Sequence, residues 1–316
     1  MTVPAVLRPA INAVRPAIDA VRPAVEAVRP ALRTASPYLR RTREVLGTDL
    51  ARQCAVTLGL LFSLVAAAGG SGQFGGTAIK DAAGGAYSTE FTLLAPDGPA
   101  FSIWSPIYLG LAAYTVFQWL PGQREALRQR AVGWLVAASL LLNGIWIVSA
   151  QAGLVGLSLV VMAGLLGVLL VAMRVLNRHP AGTRAEVCLV DVPVGLYTGW
   201  ILVAAGANAA SWFTVHGIDL FGWGADVWAV ITIAAVSFTG AVVAMSGRGR
   251  MSAALALCWG LGWLIIARWF GEPGSVPVAV AAGFGLFFVL MCGGSRTFRV
   301  GHEERRAIRQ GYVPEI

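Results

Sequence analysis

Hydrophobic residues in this chain occur in long runs, and the charged residues collect in the segments between those runs. A helix needs about 20 mostly apolar residues to cross a bilayer, and eight stretches are long enough. They cover residues 52–70, 99–119, 132–151, 153–174, 188–209, 226–245, 252–270 and 276–292. The pattern predicts an all-α, polytopic transmembrane helix bundle with about eight spans.

The composition agrees with a membrane protein. Of the 316 residues, 57% are hydrophobic and only 13% are charged, whereas a soluble domain carries about 25% charged residues. Lys80 is the only lysine, and the bias toward Arg, Ala and Gly is typical of a GC-rich bacterial genome. We therefore expect a bacterial plasma membrane as the location.

The distribution of basic residues gives the expected orientation. Nearly all of them fall in segments on one side of the predicted spans, and only Lys80 and Arg268 fall on the other side. Cytoplasmic segments of membrane proteins carry an excess of Lys and Arg, so both termini are expected in the cytoplasm. The net charge of +8 then reflects topology, and the expected partner is membrane lipid rather than nucleic acid.

The fifth span carries a stripe of aromatic and polar residues. Pro193, Tyr197, Trp200, Ala204 and Asn208 follow one another at steps of three or four residues, which places them on one face of a helix. A lipid-facing Asn would be costly, so this face is expected to meet protein or a cavity.

Two other spans place similar side chains at the same depth, in the outer half of the membrane. Trp104 and Tyr108 share a face of the second span, together with Phe101, and Asn143 and Trp146 share a face of the third. An apolar pocket with a few polar groups needs such an arrangement. The alternative is that these aromatics are interfacial anchors or core packing.

Three further features carry expectations about the helices. Pro106 should bend the second span, because proline removes a backbone hydrogen bond. Gly195 and Gly199 form a G-x-x-x-G suited to close helix contact. Asp191 lies near the inner end of the fifth span, where it either snorkels to the interface or couples a proton.

The three motifs together resemble the translocator protein family (TspO, or tryptophan-rich sensory proteins). They are W-x-x-x-Y from residue 104, L-N-x-x-W from residue 142 and W-x-x-x-A-x-x-x-N from residue 200. The resemblance covers residues 52–213. It implies a five-helix membrane bundle, often dimeric, that binds porphyrins and other tetrapyrroles and in some members sterols.

The resemblance and the helix faces together give the candidate site. The loop at 71–98 resembles the lid of that family. Leu196 and Tyr197 stand where the family usually has Pro-Tyr, and no Tyr followed closely by Lys or Arg ends the fifth span, so a tetrapyrrole is expected rather than a sterol. The candidate ligand-binding residues are Trp104, Tyr108, Asn143, Trp146, Tyr197, Trp200, Ala204 and Asn208.

A heptad repeat precedes the first span. In "AINAVRPAIDAVRPAVEAVRPAL", residues 10–32, apolar residues recur at coiled-coil spacing, yet each copy carries a proline. Proline inside a helix costs about 3 kcal/mol, so single helical turns or a bent, partly disordered arm are expected. Anionic lipid headgroups, self-association and a solvated tether remain alternatives for its role.

The expected organisation has four parts. They are a cytoplasmic basic segment with the proline-containing repeat at 1–51, the five-helix bundle at 52–213, three additional transmembrane helices at 214–293 and a charged cytoplasmic tail at 294–316.

The expected function is binding of a porphyrin-type or similar hydrophobic ligand, as a sensor or carrier. Secondary transport of a small or lipophilic substrate is the alternative, and porphyrin degradation is a third hypothesis. The sequence shows no P-loop, H-E-x-x-H or G-x-S-x-G motif, so no catalytic residue, metal or required cofactor is expected. A homodimer is one expected assembly.

Overall fold

The structure, a computed structural model, describes residues 48–72 and 78–310. Internal contacts divide the chain into two units, Met1–Ala51 and Arg52–Ile316. Nearly all of the first unit, including the predicted arm with its heptad repeat, lies outside the described residues. The description below therefore concerns the second unit, together with the few residues that open its first helix.

Eight long apolar helices make up the described chain, and the all-helical polytopic bundle predicted from the sequence is confirmed. Each predicted span corresponds to one continuous helical stretch that is long and apolar enough to cross a membrane, and in the second and fifth spans this stretch includes short helical segments before the α-helix. The α-helices of the eight spans are α1 (Asp49–Gly70), α2 (Trp104–Phe117), α3 (Leu127–Gln151), α4 (Val155–Arg178), α5 (Val192–Val215), α6 (Ala225–Met245), α7 (Met251–Phe270) and α8 (Val276–Arg309).

The second span begins with a tighter turn. A 3-10 turn at Gly98–Ile103 leads into α2, and the Asp97 carboxylate accepts a hydrogen bond from Gly98 N at 2.7 Å. Pro106 is the third residue of α2, which continues directly from the 3-10 turn. The change from 3-10 to α geometry therefore falls just before Pro106, and the bend expected at Pro106 stays a prediction.

The fifth span has an irregular entry. A single helical turn at Arg184–Glu186 and a π-helical segment at Val187–Asp191 precede α5. Pro193 follows at the second position of α5, where its missing N–H leaves one fewer backbone bond to form.

The last helix extends beyond its predicted span. The sequence predicted a charged tail from residue 294, but α8 continues to Arg309. Contacts with the α6–α7 loop hold this extension: Arg296 donates two hydrogen bonds to Gly247 O, and Arg248 pairs with Glu304. Most of the tail is therefore the end of a helix.

Two hydrophobic cores meet along α5 and α7. The first core lies among α1–α5 and includes Tyr197 and Trp200 of α5, and Ala253 and Ala256 of α7 contribute to it. The second core lies mainly among α5–α8. The three C-terminal helices thus pack directly against the five-helix part.

The predicted close approach at Gly195 and Gly199 is present between α5 and α7. A Cβ added at Gly195 would lie 2.0 Å from Ser252 Oγ, and one added at Gly199 would lie 2.1 Å from the Ala253 carbonyl oxygen. Only glycine fits at such distances, so the G-x-x-x-G motif brings these two backbones together.

Candidate ligand-binding site

The connection between α1 and α2 folds over one end of the bundle. We call residues 78–98 the lid segment, and the end of the bundle that it covers the lid end. Ala82 and Tyr87 of the lid segment pack with Ala150 near the end of α3. Residues 73–77, which fall in the loop predicted as a lid, lie outside the described residues.

Aromatic side chains from α2 and α5 form one cluster below the lid segment. The Trp104 ring stacks on Tyr108, with centroids 5.2 Å apart, and its edge contacts Tyr197 at 5.8 Å and Trp200 at 6.4 Å. Phe101 contacts Trp200 edge to face at 5.6 Å. The residues that the sequence placed on separate faces of two spans therefore meet in one group.

The Tyr108 hydroxyl belongs to a polar triad with Ser63 and Asn143. Asn143 Nδ2 donates to the Tyr108 hydroxyl at 2.8 Å and to Ser63 Oγ at 2.7 Å. The hydroxyls of Ser63 and Tyr108 are 3.3 Å apart. Asn143 is fully buried. Its amide consequently orients Tyr108, which keeps the ring of Tyr108 in one position.

The lid segment is connected to α4 and α5 by a second set of hydroxyl and amide contacts. The Tyr87 hydroxyl lies 2.7 Å from Ser158 Oγ, and Ser158 is 3.4 Å from both amide atoms of Asn208. Burial raises the pKa of Tyr87 above its usual value near 10, so the phenol stays protonated and able to donate. Its ring also contacts Trp146 at 6.5 Å.

A cavity of about 690 Å³ lies between the lid segment and the aromatic cluster. This volume falls within the range of roughly 300–1,000 Å³ typical of ligand pockets. Its apolar wall includes Ile79, Phe101, Trp104, Tyr108 and Trp146, and its rim carries the charged residues Lys80, Asp81, Glu90 and Asp97.

A smaller recess of about 40 Å³ continues from the same wall toward α5. Trp104 and Trp146 line both spaces, and Trp200, Ala204 and Asn208 line the recess. Of the eight candidate residues, Asn143 and Tyr197 line neither. The Tyr197 hydroxyl instead donates to the Ser139 carbonyl oxygen at 3.1 Å.

One polar group in the wall of the cavity has no hydrogen-bond partner among the residues that the structure describes. The indole N–H of Trp146 is buried and makes no hydrogen bond to any described residue, and Trp146 as a whole is only 7% exposed. A buried donor without a partner is costly. A ligand with an acceptor at this position would remove that cost. Among the described residues, no group of three His, Cys, Asp or Glu side chains is placed to hold a metal ion.

Comparison with known proteins identifies a family for this chain. A family model described as TSPO-like protein matches residues 54–293, which is most of the chain. The chain belongs to the TSPO-like protein family. No curated protein and no solved structure matches it.

The match to the TSPO-like family is longer than the motifs suggested. The resemblance read from the sequence covered residues 52–213, the first five helices, whereas the family model extends to residue 293. The three C-terminal helices are therefore part of what this TSPO-like chain shares with its family.

Several residues of the site were not found from the sequence. They are Tyr87, Ser158 and Ser63, which make the contacts just described. A serine in an apolar helix, or a single tyrosine in a loop, carries no pattern that identifies it. Arg268 and Trp259 of α7 also contact the lid end. Arg268 did carry a signal, because it was one of two basic residues on the unexpected side of the predicted membrane.

Asp191 of this TSPO-like chain is buried and paired with two arginines. Its carboxylate lies 2.7 Å from Arg128 and 2.5 Å from Arg250, at the end of the bundle opposite the lid end. The charge of Asp191 is therefore balanced within the protein, and snorkelling and proton coupling both stay predictions.

Proposed function

We propose that this TSPO-like membrane protein binds a flat hydrophobic ligand of the tetrapyrrole type at the lid end and acts as a sensor or carrier for it. The observation that carries the proposal is the cavity of about 690 Å³ walled by Trp104, Tyr108 and Trp146. Aromatic walls favour a planar ring system, because offset and edge contacts stabilise it beyond burial alone.

The polar groups of the site support recognition of one edge of such a ligand. Tyr108 is held by Asn143 and Ser63, which leaves its ring rather than its hydroxyl as the main contact surface. The Trp146 indole N–H is the buried donor available for a ligand acceptor. The ligand class is therefore a planar apolar molecule with at least one hydrogen-bond acceptor.

The location follows from the charge pattern. We place the protein in the bacterial plasma membrane with both termini in the cytoplasm, which puts the lid end on the outer side. The basic residues at the opposite end support this orientation through the positive-inside rule. A cavity on the outer side would take its ligand from the outer leaflet or from the space beyond it.

Titration with protoporphyrin tests the proposal. Purified full-length protein in detergent should shift the Soret band of protoporphyrin and quench tryptophan fluorescence, with saturation at one Kd. Trp104→Ala should weaken binding about tenfold, since an aromatic stacking contact contributes roughly 1–3 kcal/mol. Ala204→Phe should fill the recess and weaken binding as well.

Trp269→Phe serves as the matched control, because Trp269 lies on α7 with 55% of its surface exposed, outside the site. It should leave the Kd unchanged. Non-saturable binding, or equal Kd values for Trp104→Ala and wild type, would show that the cavity is not the binding site.

A further inference from the structure

A buried arginine from the C-terminal helices reaches the lid segment. Arg268 lies in the last turn of α7 and is 1% exposed. Its Nη2 donates to the Thr89 carbonyl oxygen at 2.7 Å, and its Nη1 donates to the Pro273 carbonyl oxygen at 2.6 Å. One guanidinium thus joins the lid segment to the loop after α7.

The segment that Arg268 holds is part of the cavity wall. Thr89 lines the cavity together with Ser88 and Glu90. The Thr89 side chain also donates to the Pro96 carbonyl oxygen at 3.1 Å, which closes the turn of chain between them. A shift of Thr89 would therefore change the shape of the cavity and its opening.

Two more contacts connect α7 and its neighbours to the same region. Trp259 Nε1 donates to the Ala100 carbonyl oxygen at 2.8 Å, in the 3-10 turn that leads into α2. Leu94 of the lid segment is buried in the second hydrophobic core, among side chains of α5–α8. The lid segment is accordingly packed against the C-terminal helices as well as the five-helix part.

The energetics argue that Arg268 has a specific role. Burying a cation is costly unless its donors are used and a countercharge is near. Here Nη1 and Nη2 each bond a loop carbonyl, while Nε has no partner among the described residues. Asp97 and Glu272 are the acidic groups that interact with the charge. A hydrophobic residue would fill the same space at lower cost, but it would not bond the lid backbone.

We propose that Arg268 and Trp259 are positioning residues, Arg268 for the lid segment and Trp259 for the 3-10 turn that follows it, so that the C-terminal helices hold the lid segment over the cavity and control retention of the ligand. The predicted role of these residues in ligand retention rests on the proposed function. Their predicted role in holding the lid segment does not depend on a ligand. Neither residue touches the cavity; both act through the backbone of residues 89–100.

Hydrogen exchange of the ligand-free protein tests the structural half. In Arg268→Gln, the amides of residues 78–98 should exchange at least about tenfold faster than in wild type, since a hydrogen bond from a charged group contributes roughly 1.5–3 kcal/mol. Exchange in α3 and α4 should stay unchanged. Arg268→Lys keeps the charge and can reach one carbonyl, so its exchange rate in residues 78–98 should lie between those of wild type and Arg268→Gln.

Ligand release tests the functional half. With protoporphyrin as the probe, Arg268→Gln and Trp259→Phe should each raise the dissociation rate, by about tenfold and about threefold, while the association rate changes less. Trp259→Phe keeps an aromatic ring but removes the indole N–H together with the pyrrole part of the ring, so it is a milder change that remains informative if Arg268→Gln folds poorly.

Arg296→Gln is the matched control. Arg296 also bonds a loop carbonyl, that of Gly247, but at the opposite end of the bundle. It should change neither lid exchange nor release. If the exchange of residues 78–98 is unchanged in both Arg268→Gln and Trp259→Phe, the inference is overturned. Absence of protoporphyrin binding to wild type would instead count against the proposed function and leave the exchange result to decide this inference.

Discussion

At the scale of single residues, the site separates side chains that hold the wall from side chains that form it. Asn143 bonds the Tyr108 hydroxyl, and the Tyr197 hydroxyl bonds the Ser139 carbonyl oxygen. Among the candidate aromatic residues that line the cavity, Trp146 is the one with a buried polar atom that has no hydrogen-bond partner in the described part of the chain. That difference makes the Trp146 indole the point where a ligand gains a hydrogen bond.

Replacing Trp146 by Phe should weaken ligand binding while leaving the free protein folded. An aromatic contact with Tyr87 is largely kept, and no hydrogen bond to a described residue is lost. A neutral hydrogen bond contributes about 0.5–1.5 kcal/mol, so the Kd for protoporphyrin should rise about 2- to 10-fold. Isothermal titration would measure it, with Trp269→Phe as the reference substitution.

An unchanged Kd in Trp146→Phe would mean that the ligand places no acceptor at this indole. A large drop in melting temperature without ligand would mean that the N–H is used inside the protein. Either result removes the role argued for Trp146 without affecting the aromatic wall.

Helical spacing predicted which candidate residues gather, but not which of them border the cavity. Tyr197 and Trp200 share a face three residues apart, yet only Trp200 lines the recess. Trp104 of α2 contacts both rings, but the Tyr197 hydroxyl bonds the Ser139 carbonyl oxygen of α3 instead of bordering the recess. Long-range contacts of this kind, including those of Tyr87 from the lid segment, cannot be read from one span.

At the scale of helices, the eight spans followed from apolar run length because the bilayer fixes that length. The details at their ends did not follow. The 3-10 turn before α2 and the π-helical segment before α5 depend on how Pro106 and Pro193 are accommodated locally. The extension of α8 depends on contacts with the distant α6–α7 loop.

The contact between α5 and α7 allows a direct test of helix packing. A Cβ at Gly199 would lie 2.1 Å from a backbone oxygen of α7, whereas one at Gly164 of α4 would meet no atom within 4 Å. Gly199→Ala should lower the free energy of unfolding by about 1–3 kcal/mol, the usual cost of overpacking. Gly164→Ala should be neutral or slightly stabilising, because alanine favours helix.

Thermal unfolding in detergent measures both variants side by side. Equal melting temperatures for Gly199→Ala and Gly164→Ala would contradict the close approach of α5 and α7. Because the Gly199 contact links the two cores, its loss should also increase exchange in the lid segment, which both cores support.

At the scale of the whole molecule, the two ends of the bundle are built differently. The lid end has an aromatic wall and a cavity, while the opposite end is closed by a buried ionic group. Asp191 before α5 pairs with Arg128 of α3 and with Arg250 beside α7, and these arginines also bond His179 O and Asn177 Oδ1. Transport through the bundle would have to break this group, whereas binding at the lid end would not.

Asp191→Asn should therefore destabilise the protein strongly while sparing the geometry of the ligand site. Removing one partner of a buried ion pair costs about 3–5 kcal/mol, because the arginines stay buried without compensation. The control is Glu304→Gln, which breaks the more exposed pair with Arg248, 53% exposed on the arginine side, and should cost at most about 1 kcal/mol. Thermal unfolding measures both, and protoporphyrin titration of the folded fraction should give the wild-type Kd. If Asp191→Asn is as stable as Glu304→Gln yet abolishes substrate uptake into vesicles, Asp191 is a coupling carboxylate and the molecule is a transporter.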